Sequence, residues 1–297
     1  MPVRLVLAGL LWLVFAAGSF AEICATDDLG NRLVLREPAD RIVSLAPNIT
    51  ELLFHIGAGE QIVGADEYSN YPEQARKIPR VNNYAAANYE FILSLEPDLV
   101  IAWQSGNGEQ MVRRIRQLGL PLFVIEPRTL TDIPDLFERL GALTGHDREG
   151  AAKAATFRRR LDRLRAEFSG KTPVRVFYQI WNEPLITLNG EHLVSAVIEL
   201  CGGKNVFGEA DPLVPYVNIE SVLGADPQVI IASGSSDESP AWLDMWRNWP
   251  GIDAVQNGHV YFIPPDLMQR HSARILDGAE RLCRYLDLAR SGRDDSR

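Results

Sequence analysis

Few residues in this chain stand at spacings that could run a reaction. The five histidines, at 55, 146, 192, 259 and 271, are scattered without ligand spacing, so no metal site is expected. There is no G-x-S-x-G, P-loop or H-E-x-x-H pattern, and Ser233-Gly234-Ser235-Ser236 matches a nucleophile loop in composition only. Gly57-Ala58-Gly59 follows a predicted helix and precedes a predicted strand, the reverse of the order in which glycines cradle phosphate, so it reads as a helix stop. What the sequence does offer is flat aromatic surface and a pair of acids. Tyr68, Tyr71 and Tyr84 lie in an irregular connection over 66–88, where they either cover a core edge or touch a ligand; long irregular segments inside compact domains are usually functional. Trp242, Trp246 and Trp249 sit near helical spacing and read first as a packed helix face, with ligand contact as the other option. Glu90 and Glu220 each fall in the first turn of a predicted helix, where the dipole favours an acid by roughly 0.3–1 kcal/mol. Non-covalent binding is the chemistry these residues predict, with no enzyme activity and no cofactor.

The two glutamates are positioned by a stretch that the chain writes twice. NYEFILSLEPDLVIAW (88–103) aligns without a gap on NIESVLGADPQVIIAS (218–233), matching Asn88 with Asn218, Glu90 with Glu220, Leu93 with Leu223 and Pro97 with Pro227. Each copy predicts a short helix capped by Asn, a stop ahead of proline, and an apolar run entering as a buried parallel strand. A second echo, LFHIGAGEQIVG (53–64) against IELCGGKNVFG (198–208), predicts a glycine-stopped helix and a strand in both places. Two echoes in one order predict an α/β protein of two similar lobes with mainly parallel sheets.

The remaining elements follow from periodicity and punctuation. A hairpin around Leu29-Gly30-Asn31 opens the chain, and 41–45 is the first core strand, leading to a helix capped by Asn48 or Thr50. After a strand at 62–65 and the connection to 88, residues 105–108 form a loop before a helix to Leu118, a strand at 122–125 and a helix from Asp132 to Leu143. Residues 147–168 form the longest helix, with Phe157, Leu161, Leu164 and Phe168 on one face. It lies between the two copies, so it is predicted to cross between lobes with limited hinge motion. Strands at 175–179 and 259–263, a helix over 192–200, a loop over 264–270 and a final helix to Leu288 complete the second lobe. The expected division is a signal peptide (1–21), an N-terminal lobe (22–146), a backbone helix (147–169), a C-terminal lobe (170–290) and a disordered tail (291–297).

Composition agrees with a soluble, exported protein. The 297 residues are 46% hydrophobic and 23% charged, enough for two domain cores, and the formal charge of −9 argues against nucleic acid or anionic membrane as partner. Arg4, the apolar run 5–17 and Ser19-Phe20-Ala21 make a secretory signal cleaved near Ala21. Glu22-Ile23 before Cys24 is a poor lipobox, so free export is favoured over a lipid anchor. Three cysteines in an exported chain imply one disulfide and one leftover thiol. Cys201 and Cys283 are paired as a structural clamp worth roughly 4.5 kcal/mol in the chain-entropy model, leaving Cys24 near the terminus.

RIVSLAPNITELLF, YSNYP, NYEFILSLEPDLVIAW, VFYQIW, ELCGGKNVF and the segment 264–270 resemble the periplasmic cobalamin-binding proteins of bacterial ABC importers. These are substrate-binding proteins of the helical-backbone class, and the resemblance runs from about Arg41 to the last helix. It implies a periplasmic protein, a monomer when free, that holds cobalamin or a related corrinoid in a cleft between its lobes and hands it to the permease dimer. The ligand contacts it implies are Pro47, Tyr68, Tyr84, Trp103, Trp181, Tyr216 and the run Asp266, Leu267, Met268, Gln269, Arg270. Of that run only the first Asp and the last Arg keep the family pattern, and Tyr84 and Tyr216 stand where Trp is found in a relative. By the same resemblance Glu90 and Glu220 would meet arginines of the permease, and the family's disulfide falls on Cys201 and Cys283. An amphipathic macrocycle calls for aromatic planes against its faces and polar groups at its amide rim. The alternative is a receptor of the same fold for an iron-siderophore or haem, in which Arg270, Arg128 or Tyr68 would meet an anionic ligand.

Overall fold

The computed structural model describes residues 22–83, 86–234 and 241–294. The predicted signal segment, Tyr84 and residues 295–297 lie outside them. Short β-branched runs and amphipathic helices alternate, and that pattern builds parallel sheets. A hairpin of β1 (Ile23–Thr26) and β2 (Arg32–Leu35) comes first. Then follow β3 (Ile42–Ser44), α1 (Pro47–His55), β4 (Ile62–Asp66), β5 (Arg80–Asn82), α2 (Tyr89–Ser94), β6 (Leu99–Trp103), α3 (Gln104–Gln117), β7 (Leu122–Ile125) and α4 (Asp132–Thr144). Helix α5 (Asp147–Phe168) leads on to β8 (Val174–Gln179), the hairpin β9 (Trp181–Asn182) and β10 (Leu185–Ile186), α6 (Leu193–Leu200), β11 (Gly203–Asn205) and α7 (Ile219–Ala225). The chain closes with β12 (Val229–Ala232), α8 (Asp253–Gln256), β13 (Val260–Phe262), α9 (Pro265–Met268) and α10 (Ile275–Asp294).

The first sheet has the order β5-β4-β3-β6-β7 and the second β11-β8-β12-β13, with every neighbouring pair parallel. Setting β3 against β8 makes β4-β3-β6-β7 and β11-β8-β12-β13 one arrangement used twice, with β5 added at the outer edge of the first. The repeat extends to single atoms. The Asn88 carboxamide accepts from the Phe91 N–H at 3.0 Å and that of Asn218 from the Ser221 N–H at 2.8 Å, each satisfying a first-turn donor. The paired residues Glu96 and Asp226 both turn left-handed, at φ 46° and 43°, just before the paired prolines.

One apolar cluster takes in Ile42, Ile101 and Phe123 of the first lobe, Phe157, Leu161, Leu164 and Phe168 of α5, and Val176, Val197 and Leu282 of the second. Helix α5 lies tight against α4 because Gly150 has no side chain; a Cβ there would stand 2.4 Å from the Phe137 carbonyl oxygen. Cys201, at the end of α6, is bonded to Cys283 in α10.

Several boundaries differ from expectation for identifiable reasons. Ala46 precedes α1 without a side-chain cap and Pro47 takes the first turn, so Asn48 and Thr50 lie inside the helix. Asn48 is buried there, so Asn48-Ile49-Thr50 is a glycosylation sequon in form only. The 66–88 connection contains a 3-10 turn at Glu73–Lys77 and the edge strand β5. Helical turns begin at Gln104, ahead of the expected loop end, and Gly108 at φ 75° breaks them. The expected 264–270 loop holds the short helix α9, and α10 continues to Asp294, into the predicted tail.

Candidate ligand-binding cleft

Parallel strands put their carboxyl ends on one edge of a sheet, where ligands of open α/β folds bind, and here two such edges meet. On the first lobe, the turn after β4 is held from four sides. Asp66 accepts from the Tyr68 N–H at 2.9 Å and the Asn82 amide at 2.9 Å. Arg80 donates to the carbonyls of Asp66 and Ser69, and a hydroxyl chain joins Ser44, Thr50 and Ser69 at 2.8 Å per step. The turn therefore presents Tyr68 and Tyr71, both about half exposed, from a fixed base. Burial pushes the Asp66 carboxyl up to about 6.

Trp103 ends β6 at the same carboxyl edge of the sheet, two strands from β4. Its backbone N–H donates to the Asn107 side-chain oxygen at 2.8 Å, and the Asn107 amide donates to the Leu45 carbonyl at 2.7 Å, which ties the strand end to its neighbour. The indole lies over Gly106, where a Cβ would stand 2.1 Å from the ring. Only glycine lets the ring lie there. From the second lobe, Trp181 donates its indole N–H to the Glu183 carbonyl at 3.1 Å, and Tyr216, 72% exposed, extends from a backbone bridge to Ile186.

The lobes are joined at the cleft by a buried charge cluster. Glu51 of α1, with its side chain only 3% exposed, accepts from Ser272 at 2.6 Å, from Arg274 at 2.7 and 3.0 Å and from Arg270 at 2.8 Å. Arg270 also donates to the Asn70 side chain at 2.7 Å and the Tyr68 carbonyl at 3.1 Å, and pairs with Asp266 at 2.9 Å. The Arg274 guanidinium lies 3.9 Å over the Tyr71 ring. Beside this cluster, His271 is buried with its ring 5.0 Å from Trp103 and 5.6 Å from His192. Burial holds both imidazoles well below the usual range, His192 at about 4 and His271 at about 3.

The sequence-predicted residues therefore divide. Pro47, Tyr68, Trp103, Trp181, Tyr216, Asp266, Gln269 and Arg270 are at least partly exposed. Tyr68, Trp103, Asp266 and Arg270 lie where the lobes touch, while Trp181 and Tyr216 are surface aromatics of the second. Leu267 and Met268 are a correction: both are buried in the core of α9 against α10, because Gly278 leaves room for the Met268 sulfur and the Leu267 carbonyl. Arg270 is likewise not a free cation awaiting a ligand but the centre of the inter-lobe cluster. Arg128 pairs with Glu126 at 3.3 Å. Trp246 is buried and donates to the Gln179 side chain at 2.7 Å, so it is a core residue. Sequence reading missed Glu51, Ser272 and Arg274, and it took His271 as one of five scattered histidines without ligand spacing. An acid inside the apolar helix TELLF was the available signal for Glu51. Glu90 and Glu220 are both exposed in the first turns of α2 and α7. Among the described residues no cluster of three metal-ligating side chains occurs, and no helix is long and apolar enough to cross a membrane.

Comparison with known proteins agrees with this geometry. A family model described as periplasmic binding protein matches residues 42–267. The vitamin B12-binding protein of Vibrio cholerae is 41% identical over 253 residues, covering 85% of this chain and 91% of that protein. That of Yersinia pestis is 32% identical over 250 residues, covering 84% and 87%. The crystal structure of the periplasmic vitamin B12 binding protein of Vibrio cholerae superposes with a TM-score of 0.80 at 40% identity, covering 85% of this chain and 98% of that one. A periplasmic haem-binding protein from Roseiflexus shares the fold, with a TM-score of 0.74 at 24% identity over 84% of this chain and 99% of the other.

Proposed function

The chain belongs to the periplasmic binding protein family, and from that premise we propose that it captures cobalamin or a related corrinoid in the periplasm and delivers it to an ABC-type importer. The observation that carries the choice of ligand is the charge balance of the cleft. Arg270 and Arg274 are answered by Glu51 and Asp266, and Arg128 by Glu126. An anionic siderophore or the carboxylates of haem would have to displace those partners, which costs the desolvation already offset by the pairing. A corrinoid asks for less. Its rim of amides needs neutral hydrogen-bonding groups, and its broad faces need aromatic planes such as Tyr68, Trp103, Trp181 and Tyr216. Tyr84 and Pro47 complete the proposed contact set, and Asp266, Gln269 and Arg270 supply its polar edge.

On this reading the protein does no chemistry on its ligand and requires no cofactor or metal. Glu90 and Glu220, repeated and exposed, are proposed to meet a basic patch on each half of a two-fold permease. The free protein is proposed to be a monomer, exported after cleavage near Ala21, with α5 as the stiff joint between lobes 22–146 and 170–290. Titration calorimetry with cyanocobalamin tests the ligand assignment, with binding expected at micromolar concentration or below. Absence of binding there, together with an absorption change on adding hemin or a ferric hydroxamate, would move the assignment to the iron-carrying ligands.

A further inference from the structure

A small cavity of about 170 Å³ opens between the lobes, lined by Trp103 and Arg128 from the first and by His192 and His271 from the second. It is too small for a ligand of drug size or larger, whose pockets run from roughly 300 to 1,000 Å³, and fits instead one polar arm of a bulkier guest. Its walls carry hydrogen-bonding atoms without partners among the described residues. Both ring nitrogens of His271 and the indole nitrogen of Trp103 are buried and make no hydrogen bond. Buried polar atoms in a native fold are rarely left so, and these three belong to two residues that line the same cavity, which points to a missing partner there. His192 is anchored differently, because its Nδ1 accepts from the Val194 N–H at 3.1 Å as the cap of α6. That bond fixes the tautomer and leaves Nε2 carrying the hydrogen.

Building on the corrinoid reading, we propose that His271 and His192, with the Trp103 indole, form a subsite that reads a peripheral carboxamide of the ligand. A neutral imidazole offers one N–H and one bare nitrogen. A primary amide offers the complement, a carbonyl oxygen and an NH2 group. An ester or a bare carboxylate lacks the donor and so leaves one ring nitrogen unpaired. Burial keeps both imidazoles neutral throughout the physiological range, which preserves the acceptor that an imidazolium would lose. The charged groups around the cavity are Arg128, Glu126 and Glu191; Arg128 is paired with Glu126, which leaves Glu191 as one net negative charge at the rim and no free cation. This contact would also select among family ligands, since haem and hydroxamate siderophores carry no primary amide.

The test is calorimetry on the full mature chain with two probes, cyanocobalamin and dicyanocobinamide, which shares the peripheral amides but lacks the nucleotide loop. His271→Phe keeps a flat ring against Trp103 and removes both nitrogens. It is expected to weaken both probes by the same factor, about 10-fold for two lost hydrogen bonds, with the melting temperature of the ligand-free protein unchanged or raised. His271→Gln, which keeps a donor and an acceptor, should bind within about 3-fold of the original. His192→Asn keeps the helix cap, removes the second ring, and reads the same subsite should His271→Phe fold poorly. Unaltered binding by the Phe and Asn variants overturns the proposal. A loss confined to cyanocobalamin overturns it too, because the group recognised would then be the nucleotide loop. A shift in the corrin absorption bands on binding to the original protein that is absent in His271→Phe would mean cobalt coordination, and would equally reject amide recognition. Failure of the unsubstituted protein to bind either probe is a separate result that removes the corrinoid reading itself.

Discussion

Glu51 is the side chain on which the relation between the lobes turns. Replacing it with alanine leaves Arg270 and Arg274 facing each other with only Asp266 to answer two positive charges. The carboxylate is nearly fully buried and receives four bonds of 2.6–3.0 Å, three of them from guanidinium groups. Removing one partner of a buried ion cluster costs about 3–5 kcal/mol, since the remaining charges stay desolvated. In a chain of this size about 1 kcal/mol moves the melting temperature by roughly 2–4 °C, so a drop of at least about 6 °C is expected by calorimetry. The same change should loosen the first-lobe turn, because Arg270 also holds the Tyr68 carbonyl and Asn70. Hydrogen exchange should rise at 68–71 and 266–274 together, and cobalamin affinity should fall at least about fivefold, the value of one ordered hydrogen bond. Glu51→Gln, which keeps the shape and removes the charge, should fall between. A melting temperature within about 2 °C of the original, with unaltered exchange at both segments, would refute the reasoning. The cluster would then be solvated and without effect on the lobes.

Other consequences can be read more briefly. Gly106→Ala should weaken cobalamin binding about 10-fold in calorimetry, the scale of one disturbed aromatic contact, with little change in melting temperature, because the added methyl drives the Trp103 ring from its place on an otherwise exposed turn. Stability should decline as pH falls from 6.5 to 5. His192 and His271 stay neutral in the fold while the unfolded chain takes up protons below 6.5, so each withdraws about 2 kcal/mol by pH 5; Asp66, raised to about 6, returns about 1.5 kcal/mol over the same interval. The net loss of about 2–3 kcal/mol should show in urea melts and should shrink in His271→Phe. His55, held low by burial, acts in the same direction. Glu90→Ala and Glu220→Ala should impair uptake in a reconstituted importer while calorimetry shows unaltered ligand affinity; a fall in affinity would remove the docking role.

The architecture was legible because it is local and written twice. The repeated Asn caps at 88 and 218, the prolines and the apolar runs after them need only near neighbours to form, and each landed where the repeat put it. The disulfide partners were legible for a similar reason, since Cys201 follows directly on one predicted helix and Cys283 lies within another. What sequence could not show is which polar groups meet across the cleft. Glu51 and Arg274 are separated by 223 residues, and while an acid inside the apolar run TELLF marks Glu51 as unusual, nothing local says which cations it meets. The 266–270 run illustrates the reverse error. Adjacent residues in a helical turn face different ways, so Asp266 and Arg270 point to the seam while Leu267 and Met268 point to the core.

Duplication also explains where the two halves stop matching. At position 103 the first copy carries tryptophan, half-buried at the strand end and lining the cavity between the lobes; its counterpart in the second copy, Ser233, is buried and donates to the Ile263 carbonyl at 2.9 Å. Glu90 and Glu220, by contrast, are the same residue in the same exposed first turn. On the proposed docking role, a permease with two-fold symmetry would ask the same thing of both lobes, which accounts for those positions being alike. A corrinoid has no such symmetry, so the positions that touch it are free to diverge. Identity between the copies at an exposed site therefore argues for the symmetric partner, and difference at the facing strand ends argues for the asymmetric ligand. Exchanging the two glutamates for aspartate one at a time should then produce equal losses of transport, whereas Trp103→Ser, which makes the first lobe imitate the second, should abolish ligand binding without affecting docking.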